Sequence, residues 1–180
     1  MSTTTSARLL PASTLATLIA IPVLGGLMIL QTSLVSRFPL LRGTTDLVML
    51  AIIAWALHKK VTTAWQWSII GGIIFGVASA LPVAAPLVSY LLITWLALVF
   101  RRRVWQVPLL AMFVTTLLGT LISHAITYIT LVLSGTPLPL LEAFNLITLP
   151  SMLLNILMAL PIYALIGDLA KWLHPEELEV

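Results

Sequence analysis

The sequence predicts an all-α polytopic membrane protein, a bundle of six transmembrane helices with both termini cytoplasmic. Three observations predict it. First, forty residues between Lys60 and Arg101 contain no Asp, Glu, Lys, Arg or His, and the helix-breaking run Leu81-Pro82-Val83-Ala84-Ala85-Pro86 divides them. A bilayer core of roughly 30 Å takes about 20 apolar helical residues to cross, so this stretch reads as a hairpin that crosses and returns. Second, 60% of the chain is hydrophobic and 8% charged, with a mean hydropathy of +1.11. Soluble domains run near about 25% charged. Third, six spans put Arg8, Lys59, Lys60, Arg101, Arg102, Arg103 and Lys171 on one side, and Arg37 and Arg42 on the other. The positive-inside tendency makes the richer side cytoplasmic.

The first span is expected over about 12–35. The uncharged run from Leu9 to Ser36 is too long for a signal-peptide core, although Arg8 precedes it in the manner of one. Pro22 and Gly25-Gly26 are candidate kinks. An external loop holding Arg37, Pro39, Arg42 and Gly43 leads to a brief second span, about 45–58, which must lie obliquely or thin the bilayer. Spans three (about 63–81) and four (about 85–100) form the charge-free hairpin, and span five covers about 106–133. Ser134-Gly135-Thr136-Pro137-Leu138-Pro139 then breaks the helix. Leu140 to Ile147 reads as a short interfacial helix, interrupted by Glu142 and Asn145. A sixth span, about 149–167, contains Pro161 and ends near Gly167-Asp168, before a short acidic tail over 174–180. One transmembrane domain accounts for residues 1–173. Trp65, Trp67, Trp105 and Trp172 fall near the cytoplasmic boundary, where an aromatic belt would lie.

Several residue patterns are candidates for function. In span three, Ser68, Gly72, Gly76 and Ala80 recur every fourth residue and make a flat seam. Small residues at that spacing let another helix approach closely, either within the bundle or from a partner protein. In span five, Thr116, Thr120, Ser123, Thr127, Thr130 and Ser134 share one face. Such hydroxyls line a solute path or bond the carbonyl one turn back and neighbouring helices. His124 is the histidine placed inside a span, where an ionisable group marks a functional site unless it is neutral and hydrogen-bonded. Gln31 and Asn155 are expected to hydrogen-bond between helices. Asp46 is expected to cap the second span or pair with Arg42. Lys59, Lys60, Arg101, Arg102 and Arg103 are expected to anchor the cytoplasmic face, and the three arginines can also meet anionic lipid.

Absences narrow the function. Cysteine is missing, and no phosphate-binding loop, dinucleotide fingerprint, nucleophile elbow or metal-ligand cluster occurs in the sequence. No pair of carboxylates lies within a span for acid–base work. An enzyme and a cofactor are therefore not expected. The net charge of +3 and pI near 9.7 are explained by juxtamembrane clusters, so a nucleic-acid partner is not expected.

Ile29-Leu30-Gln31-Thr32-Ser33 ending the first span, with Thr45-Asp46-Leu47-Val48-Met49-Leu50 opening the second, resembles the rod shape-determining MreD family. Gly72 and Gly76 followed by Leu81 and Pro86 are similar to the glycine-rich third helix and Pro-Leu turn of that family. The tripled arginine, the long fifth span and the Leu-Pro loop before span six also fit, so the resemblance runs from about Gln31 to Trp172. The chain departs from the family at Ala80, where many members carry aspartate, at Val88, where glycine is common, and at Thr45, where proline is frequent. The resemblance implies a non-catalytic scaffold of the cell-elongation machinery in a bacterial inner membrane. Its partners would be an MreC-like bitopic protein, a SEDS glycosyltransferase with its transpeptidase, and indirectly MreB. It also implies a fold similar to substrate-binding subunits of energy-coupling-factor vitamin transporters. That alternative predicts an outward-facing pocket lined by groups such as Ser89, Tyr90, Thr127 and Asn155. A third alternative, ion or proton translocation, relies on His124.

Overall fold

The computed structural model describes residues 11–35, 43–103, 107–136 and 139–174. Arg8, Arg37, Arg42, Trp105 and the tail from Pro175 onward lie outside them, as does the pairing of Asp46 with Arg42. The described residues are mostly helical, with no strand among them. The helices are α1 (Ala12–Val35), α2 (Leu47–Leu57), α3 (Ala64–Ala78), α4 (Ala84–Arg103), α5 (Pro108–Leu133), α6 (Leu140–Ala143) and α7 (Leu149–Leu173). A π-helical turn, Phe144–Thr148, joins α6 to α7 without a break. Four stretches are long and apolar enough to cross a membrane: Ala12–Ser33, Ala84–Arg103, Pro108–Leu133 and Leu140–Leu173. α2 and α3 are apolar but shorter.

The short helix is the centre of the molecule. All eleven residues of α2 are buried, and α2 touches α1, α3, α4, α5 and α7. Those five surround it in the ring order α1, α3, α4, α5, α7, and α7 meets α1 again along a short stretch. A helix that is apolar on every side belongs in such a position, because it has no polar face to turn outward. The surrounding helices carry large apolar side chains outward as well, among them Leu18, Ile21, Val77, Leu133, Leu153, Leu157 and Leu165.

Local sequence explains how the helices end. α3 stops at Ala78, three residues before the expected boundary. Ser79 N–H closes on Phe75 O, and Pro82 disfavours helical backbone at Leu81. α4 continues past the expected boundary through Arg103, because basic residues suit a helix C-terminus. α7 likewise runs through Gly167 and Asp168 to Leu173, with Asp168 3.3 Å from Lys171 one turn on. The interfacial helix and the sixth span expected as separate elements form one continuous rod. α1 and α7 pass through Pro22 and Pro161 without interruption.

Two expectations about surface position are corrected. Trp67 does not join a boundary belt. It is fully buried, stacks on Trp55 with ring centroids 4.1 Å apart, and donates its indole N–H to Ala16 O at 2.9 Å. Trp55 donates to Thr63 Oγ1 at 3.1 Å, so both indoles are satisfied while buried. Arg101 does more than anchor. Its Nη1 donates to the carbonyls of Ala56, His58 and Val61 at 3.0–3.1 Å, which caps the C-terminus of α2 and ties down the turn beyond it. Arg102 and Arg103 are exposed, as are Lys59 and Lys60.

Candidate functional site

At 1.5 Å per residue, eleven residues make a helix of about 16 Å, roughly half a bilayer core. The C-terminus of α2 is held by Arg101 at one end of the bundle, so its N-terminus stops inside the protein. The first N–H groups of a helix have no partner within it. Here the residue before the helix and a neighbouring helix supply partners. Leu47 N–H donates to Gln31 Oε1 of α1 at 2.9 Å, and Met49 N–H donates to Asp46 Oδ1 at 2.9 Å. Asp46 N–H donates to Asn155 Oδ1 of α7 at 2.8 Å, and Thr44 N–H to Ser151 Oγ at 2.9 Å. Asn155 donates from Nδ2 to Thr120 Oγ1 of α5 at 3.0 Å. Tyr90 of α4 donates its hydroxyl to Asp46, 2.9 and 2.8 Å from the two carboxylate oxygens, and Phe75 meets its ring edge-on. Gly43 lets this segment pass α7, since a Cβ there would stand 2.6 Å from Ser151 N.

Asp46 is thus the cap expected, and Gln31 and Asn155 are the interhelical partners expected. Their placement differs from expectation. Asp46 lies inside the bundle and not at its edge, because α2 is too short to reach the edge at both ends. The structure joins Asp46, Gln31, Asn155 and Thr120 into one network.

Beyond this floor the central position of the bundle is unfilled, leaving a cavity of about 850 Å³. Gln31, Asp46, Tyr90, Ser123, His124, Thr127, Tyr128 and Thr148 contribute polar groups to its wall, and Phe75, Pro86, Leu121, Phe144 and Ile147 are among the apolar ones. His124 Nδ1 lies 3.0 Å from Thr148 Oγ1, so the histidine has a hydrogen-bond partner. Asp46 lines the same cavity, although the sequence places no acidic group at the depth of His124.

The hydroxyl face of α5 divides along its length. Thr116 and Thr120 are buried against the bundle, and Thr120 bonds Thr116 O one turn back. Ser123 and Thr127 face the cavity. Thr130 and Ser134 bond back to Ile126 O and Thr130 O. Of the pocket groups foreseen, Tyr90 and Thr127 line the cavity. Ser89 is turned to Ala85 O, and Asn155 lies behind the lining.

The small-residue seam of span three is used within the bundle. A Cβ on Gly72 would fall 2.8 Å from Leu87 Cα, and one on Gly76 would fall 2.9 Å from Val83 Cα. Ser68 is fully buried. Ala80 lies past the end of α3, exposed in the turn, and takes no part in the seam. Sequence reasoning missed Thr148, Ser151 and Trp55, and it did not pair Tyr90 with Asp46. The absence of any polar residue from Leu47 to Leu57 is the signal that could have placed α2 at the centre.

No protein-family model, no curated protein and no solved structure matches the chain.

Proposed function

We propose that the chain is a six-span integral membrane protein of the bacterial inner membrane with both termini cytoplasmic, serving as a non-catalytic scaffold of the cell-elongation machinery. It would dock an MreC-like bitopic partner, and through it a SEDS glycosyltransferase, its transpeptidase and MreB. What supports the orientation is that the Lys and Arg among the described residues cluster at one end. Arg101 bonds the carbonyls of Ala56, His58 and Val61 there, with Lys59 and Lys60 in the same turn, at the end of α2 opposite the cavity. What supports lateral docking is the line where the ring closes least. α1 and α7 meet along a short stretch, and both turn apolar side chains outward. Gly25 and Gly26 of α1 and Gly167 of α7 have open space where a Cβ would stand. In lipid, where apolar surface alone drives no association, close approach at such residues is what a docking helix needs.

The chain has no cysteine, so single cysteines at Leu157 and Val77 give unambiguous cross-linking sites. Cross-linking from Leu157→Cys to an MreC-like partner in membranes is expected, with little from Val77→Cys. Failure of the partner to co-purify in gentle detergent overturns the scaffold.

The cavity favours a second reading, a substrate-binding subunit of an energy-coupling-factor type transporter. Its volume lies within the roughly 300–1,000 Å³ of ordinary small-molecule sites, and polar groups converge on a mostly apolar wall. Thermal stabilisation by a member of a vitamin panel would support that reading, and a flat response would remove it.

A further inference from the structure

We infer that the cavity above the central helix is a site for an amphipathic cation, an ammonium group carried on an apolar body. The inference rests on the reading of the cavity as a ligand site and adds the chemical class of the ligand.

Charge gives the first reason. Asp46 is the acidic side chain on the lining, and no Lys or Arg is among the lining residues. Its hydrogen bonds come from neutral donors, the Tyr90 hydroxyl and the Met49 and Val48 amides. An ionised carboxylate offers about four acceptor sites, so it has capacity for a further donor. Among the described residues nothing supplies a positive charge to it, and a ligand ammonium would.

The walls give the second reason. Phe75, Tyr90, Tyr128 and Phe144 line the cavity with Asp46. Aromatic rings around a carboxylate suit an ammonium, which cation–π attraction can hold as well as charge. A small inorganic cation would leave most of this apolar wall unused. An anionic ligand would meet a carboxylate that no basic side chain offsets among the described residues.

The test uses the full-length protein in nanodiscs and three probes on one skeleton: 4-phenylbutylammonium, 4-phenylbutanol and 4-phenylbutyrate. Saturable binding of the ammonium is expected, with the alcohol weaker and the carboxylate weakest. Asp46→Asn retains the capping oxygen, because Asn caps helices as well as Asp does, so the fold is expected to survive. It should weaken the ammonium about tenfold or more, as loss of a charge-assisted contact does, and leave the alcohol unchanged. Ala143→Trp, which fills the wall, should weaken the ammonium and the alcohol together. Equal affinity of alcohol and ammonium, or an ammonium affinity unaltered in Asp46→Asn, overturns the inference. If no probe binds while a vitamin stabilises the protein, the cationic class fails and the ligand-site reading stands. Silence of both removes both.

Discussion

The two ends of the central helix meet the same problem and answer it differently. Each leaves backbone groups that its own helix does not pair, and burying such groups unpaired is costly. At the C-terminus one side chain joins two backbone bonds, His58 N–H to Trp55 O and Val61 N–H to His58 O. Arg101 reaches three carbonyls, and the Trp55–Trp67 stack packs close by. At the N-terminus the donors are shared among Gln31, Asp46, Asn155 and Ser151, drawn from three parts of the chain and braced by Tyr90. One end is a fixed point made by a single cation. The other is a distributed network with empty space above it. The difference teaches that the basic end is built to hold α2 in place and the far end to leave room.

Substitutions at each end test this contrast. Arg101→Met should have the largest effect, about 3 kcal/mol, because three carbonyls lose a charged donor at once. Thermal unfolding in detergent reads it, and a loss as small as that of Arg102→Met would break the comparison. Asn155→Leu should cost about 2 kcal/mol, since Asp46 N–H loses its acceptor and Thr120 Oγ1 loses a donor. Because the network is shared, Asn155→Leu and Gln31→Leu should combine non-additively in a double-mutant cycle. Strict additivity would show that the N-terminal end is a set of separate contacts. In the hairpin, Gly76→Ala should cost roughly 1–3 kcal/mol, because Val83 backbone stands where the methyl group would go. Full stability of that variant would show that α3 and α4 are free to separate.

Acidification should give the smallest effect, and at the basic end. Burial, with His174, Lys171, Lys60 and Arg101 nearby, holds the His58 imidazole below its usual range. A group whose folded-state value is lowered stabilises the fold while neutral, above its unfolded value near 6.5. That stability is lost as pH falls through 6.5 toward the depressed value. The loss should stay below about 1 kcal/mol, since the half-exposed ring is screened by solvent. His58→Gln should flatten the slope of melting temperature with pH between about 5 and 7, and an unchanged slope would assign it to another group.

Much of this was legible in residues whose role is local. Asp46 caps because its position before an apolar run leaves it little else to do, and Thr120, Thr130 and Ser134 bond one turn back as hydroxyls on helices do. Depth and order around the ring were not legible. Hydropathy marks that a segment is apolar and says nothing of how far its ends reach, so Asp46 reads as a surface residue. Arg101 is indistinguishable in sequence from Arg102 and Arg103, and Trp67 from Trp65. Helix phase decides which of them turns inward, and phase depends on packing partners far along the chain.

The π-helical turn at Phe144–Thr148 has a consequence for how the cavity wall is encoded. A π turn holds one residue more than an α turn, and each residue rotates a helix by roughly 100°. Deleting a single exposed residue there, such as Asn145, should restore α-helical spacing and leave α7 undisturbed. It should also swing Leu140 and Ala143 away from the positions from which they line the cavity. The shape of that wall is therefore set by residue number as much as by residue identity. A one-codon insertion or deletion, ordinarily damaging inside a helix, is here a route to a differently shaped chamber on the same scaffold.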